Sequence, residues 1–477
     1  MCGMIGSYEL NLDVAARLDL VAHRGPDGSG VATAGPAVHG HVRLALLDLT
    51  DASAQPYRFG GGVLSFVGEV WNWREVARQL AEDGVASALG ARSDTQVLAA
   101  ALAAWGVAAT LPRLEGMFAF AWSREGTRTH VLARDRFGKV PLYVHREAQG
   151  GGFAWSSERK GLPGLACRPL PPGSWLDLRT GQLTTWYSLP DPPWAAAGAT
   201  TEATPERQPG DNVAEAIRAD LREGVRRRLV ADAPLCVLCS GGLDSTLVLA
   251  MAKAAKPDVV AFTAVMSPFS PDLRAARRAC AEFEVPLVEV PVPEPTRELL
   301  AEAARAIEIP MKAQVEIAAL CLPLARAIRS HGFKACLSGE AADELFGGYG
   351  SMCIQGAGAD DALWRLIRVK QLEKMSRGNF VRCNKAFMAG GVECRLPYME
   401  RALVERAINL GRDECPPGKG ALKRAAEGVA PAWVIRRQKE TFQGASGLAE
   451  AAARALPDVR RFYGAEVRSA FGEGVRG

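Results

Sequence analysis

Three stretches of the chain combine residue types and spacings that could do chemistry. In Ser240-Gly241-Gly242-Leu243-Asp244-Ser245, two glycines and two hydroxyls surround one carboxylate. The apolar run 234–239 before it reads as a buried parallel strand, and 246–255 after it reads as a helix. A glycine turn between strand and helix leaves backbone N–H groups unpaired at the positive end of the helix dipole, a cradle for phosphate. Ser240 and Ser245 can add hydroxyl donors. Asp244 would repel phosphate on its own, and makes sense if it holds a Mg2+ that neutralises the phosphate. In Ser338-Gly339-Glu340-Ala341-Ala342-Asp343-Glu344, three carboxylates fall within five residues directly after another apolar strand, 334–337. That density suggests a Mg2+–pyrophosphate site. At the N-terminus Cys2 follows the initiator methionine. Removal of Met1 would expose an α-amine with a pKa of about 8, able to act as a base beside its own thiol. Taken alone, Cys2 reads equally as a buried N-terminal residue.

The elements that must position these groups change character along the chain. Short strands and turns dominate up to about residue 187, with helices near 72–82 and 94–105. That pattern implies two stacked, mostly antiparallel sheets with flanking helices. Arg43 sits in a strand pattern over 41–48, 116–122 reads as a buried strand, and Asp94 stands where a helix cap belongs. Residues 188–212 are rich in Pro, Ala, Thr and Gly and read as an interdomain linker. From 213 the pattern becomes α/β, with a helix over 214–228 and strands over 234–239, 259–266, 287–290 and 334–337. Alternating strands and helices imply a parallel sheet with ligands at the carboxyl ends of its strands. Both the 240–245 and 338–344 loops lie at such ends. The stretch 364–382 reads as one basic helix with a solvated face, and 458–477 as a frayed end.

The 240–245 stretch resembles the pyrophosphate loop of N-type ATP pyrophosphatases, which cleave ATP to AMP and pyrophosphate. Cys2, His23-Arg24-Gly25-Pro26-Asp27, Gly68-Glu69, Ser93-Asp94 and Gly116–Phe120 occur in the order seen in class II glutamine amidotransferase domains, which are N-terminal-nucleophile hydrolases. Together the chain resembles the glutamine-hydrolysing asparagine synthetases over nearly all of residues 2 to 445. The resemblance implies a glutaminase domain over 2–187, the linker over 188–212, an ATP pyrophosphatase domain over 213–450 and a tail over 451–477.

It also implies roles. Cys2 would be the nucleophile and Gly68 an oxyanion donor. Arg43 would take the glutamine α-carboxylate, Glu69 and Asp94 its α-ammonium; a zwitterion needs such a cation and such carboxylates. Leu238, Val265, Ser338 and Gly339 match positions that hold adenosine, while Ser240, Gly241, Gly242, Asp244 and Ser245 would hold the ATP phosphates. Asp343 would join Asp244 on Mg2+. Glu340 would sit near an acyl-adenylate and the incoming ammonia, and Lys439 would face the phosphates. ATP, Mg2+, glutamine and a carboxylic acid acceptor are the implied ligands, and a homodimer is compatible with the resemblance.

Composition fits this frame. The chain is 48% hydrophobic and 23% charged, as in ordinary globular domains, and its net charge of +4 gives no argument for a nucleic-acid partner. No apolar run of membrane-spanning length is evident, and the start lacks the pattern of a signal peptide. Eleven scattered cysteines suit a reducing compartment, so a cytoplasmic location is expected. Cys236-x-x-Cys239 would face opposite sides of its strand and reads as core rather than as zinc ligands.

Two departures matter. The family has Asn before Gly-Glu, where this chain has Val67, so one oxyanion donor is missing. Aspartate-using members carry a Thr-rich stretch ending in Arg; ungapped from Glu308, this chain has Glu316 at that place. Three readings therefore stand: an asparagine synthetase, an amidotransferase for another carboxylic acid, or an amide-forming cyclase of the lasso-peptide or β-lactam synthetase type. Cys2, Arg43, Glu69 and Asp94 argue against the cyclase, which needs no glutaminase.

Overall fold

The computed structural model describes residues 2–148, 150–190, 212–437, 452, 455 and 459–469. Lys439 and residues 191–211 of the expected linker lie outside them.

The first twelve strands are β1 Gly3–Tyr8, β2 Gly28–Ala34, β3 Ala37–Arg43, β4 Tyr57–Phe59, β5 Gly62–Val70, β6 Gly116–Arg124, β7 Thr129–Arg134, β8 Tyr143–Arg146, β9 Phe153–Ser156, β10 Cys167–Pro169, β11 Ser174–Asp177 and β12 Leu183–Thr185. They form two antiparallel sheets, ordered β10-β8-β9-β1-β3-β2 and β12-β11-β7-β6-β5-β4. β1 is buried along its whole length between β3 and β9, so a central strand leads directly from Cys2. β5 and β6 pair in full register from Gly62↔Arg124 to Val70↔Gly116, which carries Gly68 and Glu69 to the end of the second sheet. Gly68 has φ +126°, and a Cβ there would lie 2.0 Å from the Met117 carbonyl oxygen, so only glycine fits.

The remaining strands, β13 Leu235–Leu238, β14 Ala261–Val265, β15 Leu287–Pro291, β16 Ala335–Leu337 and β17 Glu393–Arg395, form a parallel sheet ordered β15-β14-β13-β16-β17. The chain winds from β13 to β14 and β15 on one side, then crosses to β16 and β17 on the other. β13 and β16 therefore flank a topological switch point, where a crevice opens at their carboxyl ends. Both chemistry-bearing loops of this region leave those two strands.

The architecture follows the pattern of the apolar runs, with local exceptions. β3 ends at Arg43 rather than running to 48: Leu44 N–H turns to the Cys2 sulfur and Ala45 N–H to Asp27 Oδ2. The expected basic helix over 364–382 is two helices, Asp361–Met375 and Asn379–Met388, because Gly378 at φ −129°, ψ −97° breaks the helical path. Its cations are not solvated throughout. Arg368 is fully buried and donates to the carbonyls of Ala407, Ile408 and Leu410, the open end of helix Arg401–Asn409, while Arg382 is buried against Glu340. The end expected to fray contains helix Val459–Ser469, whose Tyr463 and Val467 pack with residues of helix Arg297–Ile307 in one apolar cluster. Helix Asp94–Thr110 starts with Ser93 at the N-cap, and Gly106 at φ +74° interrupts it near its expected end. With the turn that follows, 94–113 is long and apolar enough to cross a membrane by length and composition. Here 56% of its apolar window is buried within the fold.

Candidate functional sites

Cys2 lies at the start of β1, buried, with its sulfur 3.4 Å from the Leu44 N–H and its carbonyl 3.0 Å from Arg24 Nε. Burial pushes the thiol up to about 11. At neutral pH it is therefore almost wholly protonated, and a base must take its proton during attack. Arg24 is itself fully buried; it also pairs with Glu158 at 2.6 Å and reaches Asn384 at 2.9 Å on helix Asn379–Met388.

Glu69 acts on this thiol by its charge, and Asp94 in turn acts on Glu69. Val70 N–H donates to Asp94 Oδ2 at 2.9 Å, and Thr95 N–H to its Oδ1 at 2.8 Å, so Asp94 ties helix Asp94–Thr110 to β5 besides opening the helix. Burial, then the Glu393 and Asp94 carboxylates, push Glu69 well above the usual range, against the pull of Arg395. Burial raises Asp94 to about 7, against those two backbone N–H groups. Glu69, Asp94 and Glu393 thus all feel the Arg395 guanidinium, and Glu69 and Glu393 feel the chain's N-terminal charge as well. Arg43 sits where β3 ends, with its fork on the carbonyls of Thr50, at 2.7 Å, and Asp48. Each η nitrogen keeps a second hydrogen for a ligand. Val67 is fully buried in the same apolar cluster as Cys2.

At the switch point, Gly242 precedes helix Leu243–Ala255, and Ser240 N–H and Oγ both lie 3.1 Å from Ser245 Oγ. Gly241 takes φ +72°, and a Cβ there would fall 2.4 Å from the Ala275 carbonyl carbon. Gly339 also approaches closely, since a Cβ would meet Ser245 N at 2.9 Å and Asp244 Cβ at 3.0 Å. The two loops therefore touch, and Leu238 and Val265 end the neighbouring strands β13 and β14 beside them.

Between the loops stands a residue that sequence reasoning missed. Lys419 Nζ lies 2.5 Å from Asp244 Oδ2 and 2.8 Å from Asp343 Oδ1. Although burial works against it, the Asp244 and Asp343 carboxylates hold this ammonium above its usual range. Its one sequence signal is the pair of flanking glycines, Gly418 and Gly420. Lys419 shows that the two carboxylates converge on a single cation position. An all-oxygen pair of this kind fits Mg2+, which takes one or two carboxylates with phosphate and water oxygens. No group of three His, Cys, Asp or Glu ligands occurs among the described residues.

Glu340 accepts from Arg382 at 2.6 Å and from Asn379 at 3.0 Å. Asn379 also donates to Glu344 at 2.8 Å, Gln314 donates to Asn379 at 2.8 Å, and Arg382 donates to Gln314 at 2.9 Å. Burial, followed by Glu340, raises Glu344 to about 7. Gln314, Asn379 and Arg382 carried no signal in sequence. Glu316 does not join them: two residues from Gln314 on helix Lys312–Ser330, it lies on another face, 3.8 Å from Lys312, and its charge bears on the buried Tyr463. Glu308 likewise serves the contact between the two halves. It accepts from the Arg159 and Lys160 N–H groups at 2.9 and 2.8 Å and pairs with the buried Lys385.

Comparison with known proteins agrees with this pairing of centres. Residues 1–176 match the glutamine amidotransferase domain family, and residues 216–355 and 355–461 match the asparagine synthase family. The chain is 29% identical to asparagine synthetase B [glutamine-hydrolyzing] of Escherichia coli (strain K12), covering 96% of this chain and 86% of that protein. It is 28% identical to the asparagine synthetase [glutamine-hydrolyzing] of Zea mays, covering 94% and 78%. A solved glutamine-dependent NAD+ synthetase from Acinetobacter baumannii aligns at 14% identity over 76% of this chain and 56% of that one, with a TM-score of 0.27, and carries no argument. The chain belongs to the asparagine synthase family and is a glutamine-dependent ligase that uses ATP to form amides.

Proposed function

We propose that residues 2–187 hydrolyse glutamine and that residues 213–450 spend ATP to amidate a carboxylic acid. Cys2, as thiolate, attacks the glutamine amide carbon; the C–N bond breaks and ammonia leaves. Water then releases glutamate from the γ-glutamyl thioester. The α-amine exposed on removal of Met1 takes and returns the thiol proton, giving the buried thiol a base of its own. Gly68 N–H supports the oxyanion, Arg43 the substrate carboxylate, and Glu69 with Asp94 the substrate ammonium.

In the second centre the acid's carboxylate oxygen attacks the α-phosphorus of ATP, and pyrophosphate leaves. Ammonia attacks the resulting acyl-adenylate, giving amide and AMP. Ser240, Gly241, Gly242 and Ser245 cradle the phosphates, and Leu238, Val265, Ser338 and Gly339 take the adenosine. Asp244 and Asp343 would hold Mg2+, which supplies charge neutralisation on the departing pyrophosphate. Glu340 positions or deprotonates the incoming ammonia. Lys439 adds positive charge at the phosphates. The observation that carries the reading is the convergence of Asp244 and Asp343 on one cation position at the switch point. A cytoplasmic location suits this chemistry.

A non-aspartate acceptor is favoured by the charges of the crevice. The η nitrogens of Arg382 are engaged by Glu340 and Gln314. The cation beside Glu340 thus already has a carboxylate on one of its η nitrogens, which favours an acid with one carboxylate and a neutral or cationic remainder. Pyrophosphate release screened over carboxylic acids, with glutamine and with ammonium, tests both parts. The family chemistry requires at least one acid to trigger release. Aspartate as the best acid would overturn the acceptor assignment.

A further inference from the structure

Arg395 belongs to β17 of the parallel sheet, yet its charge is delivered to the cluster around Cys2. The side chain is fully buried. Nε donates to Glu393 at 2.7 Å, and Nη1 donates to the carbonyls of Arg228 and Val230 at 2.8 and 2.7 Å. The guanidinium carbon stands 5.0 Å from the centre of the Trp71 ring. These contacts fix the head so that Nη2 lies 3.3 Å from Glu69 Oε1 across the boundary between the two halves. Its backbone carbonyl meanwhile accepts the Ser338 N–H at 2.9 Å, at the start of the acidic loop.

Burial, Glu393 and Asp94 act against ionisation of Glu69, while Arg395 and, after it, the chain's N-terminal charge act for it. A neutral Glu69 cannot attract an ammonium by charge. We propose that Arg395 is a positioning residue for the glutaminase: supplied by the synthetase half, it holds the Glu69 carboxyl across the boundary and aims it for the glutamine α-ammonium. The glutamine site is then incomplete without β17, and the residue that completes it also holds the first residue of the acidic loop. The inference rests on the reading that Glu69 receives that ammonium.

The test uses the full chain, with glutamine hydrolysis followed as glutamate formed and synthesis followed with ammonium as nitrogen source. Arg395→Met is expected to raise the glutamine KM about tenfold for each pH unit by which Glu69 moves up, to shift the acid limb of kcat/KM upward, and to keep ammonia-dependent synthesis. Arg395→Lys keeps the charge and should return the acid limb toward the parent. In a Glu69→Gln background, Arg395→Met should add less to KM than it does in the parent, the remainder acting through Asp94. If Arg395→Met also loses ammonia-dependent synthesis, Arg395→Gln, which keeps a donor for the Arg228 and Val230 carbonyls, carries the same readouts. An unchanged KM and acid limb in a variant that retains ammonia-dependent synthesis overturns the proposal. An unchanged KM in Glu69→Gln overturns instead the ammonium-binding reading beneath it.

Discussion

Replacing Lys419 with Met tests whether the crevice is built around one cation position. In the protein as it stands, the buried ammonium lies 2.5 Å from Asp244 and 2.8 Å from Asp343. Methionine keeps most of the volume and removes the cation from between two carboxylates. Removing one partner of a buried charge pair costs about 3–5 kcal/mol, because the remaining charge stays desolvated. At roughly 2–4 °C per kcal/mol for a domain of this size, the variant should melt about 10 °C below the parent. If the two carboxylates suit Mg2+, millimolar Mg2+ should recover much of the loss. A ligand at about a hundred times its Kd adds about 2.7 kcal/mol. Near-UV circular dichroism melts of parent and variant, with and without Mg2+, read both effects independently of catalysis. A variant that melts like the parent would refute the buried-pair reasoning. A variant that melts low with no response to Mg2+ would refute the metal assignment.

Cys2→Ala should lose glutamine-dependent amide and keep ammonia-dependent amide; equal loss with both donors would mean that nitrogen does not pass as free ammonia. Val67→Asn should raise basal glutamate formation without ATP or acceptor, because a missing oxyanion donor is worth about 3 kcal/mol, roughly a hundredfold in rate. An unchanged or lower rate would mean that another N–H already fills the hole, or that the amide cannot settle in the apolar cluster around Val67. Glutamine affinity should rise with pH through about 7, where Asp94 titrates. Its folded-state pKa is raised, so the free protein holds a proton that the ligand's ammonium must displace, and tight binding is lost as pH falls. Calorimetry in buffers of different ionisation enthalpy measures that release, and affinity that is flat or falls with rising pH contradicts it.

The parts legible in sequence are those whose signal is local. The apolar runs before Ser240 and Ser338 became β13 and β16, and their glycines marked the two turns where backbones approach closely. Cys2 was legible through its position and through the ordered motifs that follow it. Lys419, Arg395 and Asn379 were not, because each acts on a partner tens to hundreds of residues away and has no spacing of its own to betray it. Glu316 shows the same limit. Reading along the stretch from Glu308 put Glu316 at the acceptor, whereas the helix turns Gln314 toward Arg382 and leaves Glu316 on another face, and Glu308, which set only the register, joins the contact between the halves. The 364–382 stretch looked solvated because charge was read as exposure. Arg368 is buried because three backbone carbonyls at a helix end replace water around it.

The central claim is that an acid is activated by adenylation and then takes ammonia released at Cys2. It is tested most directly with the acid that triggers pyrophosphate release, labelled with 18O in its carboxylate, and glutamine labelled with 15N in its amide. The account predicts one 18O in the phosphate of AMP and 15N in the product amide. Label in pyrophosphate or inorganic phosphate, or an amide without 15N, would contradict it.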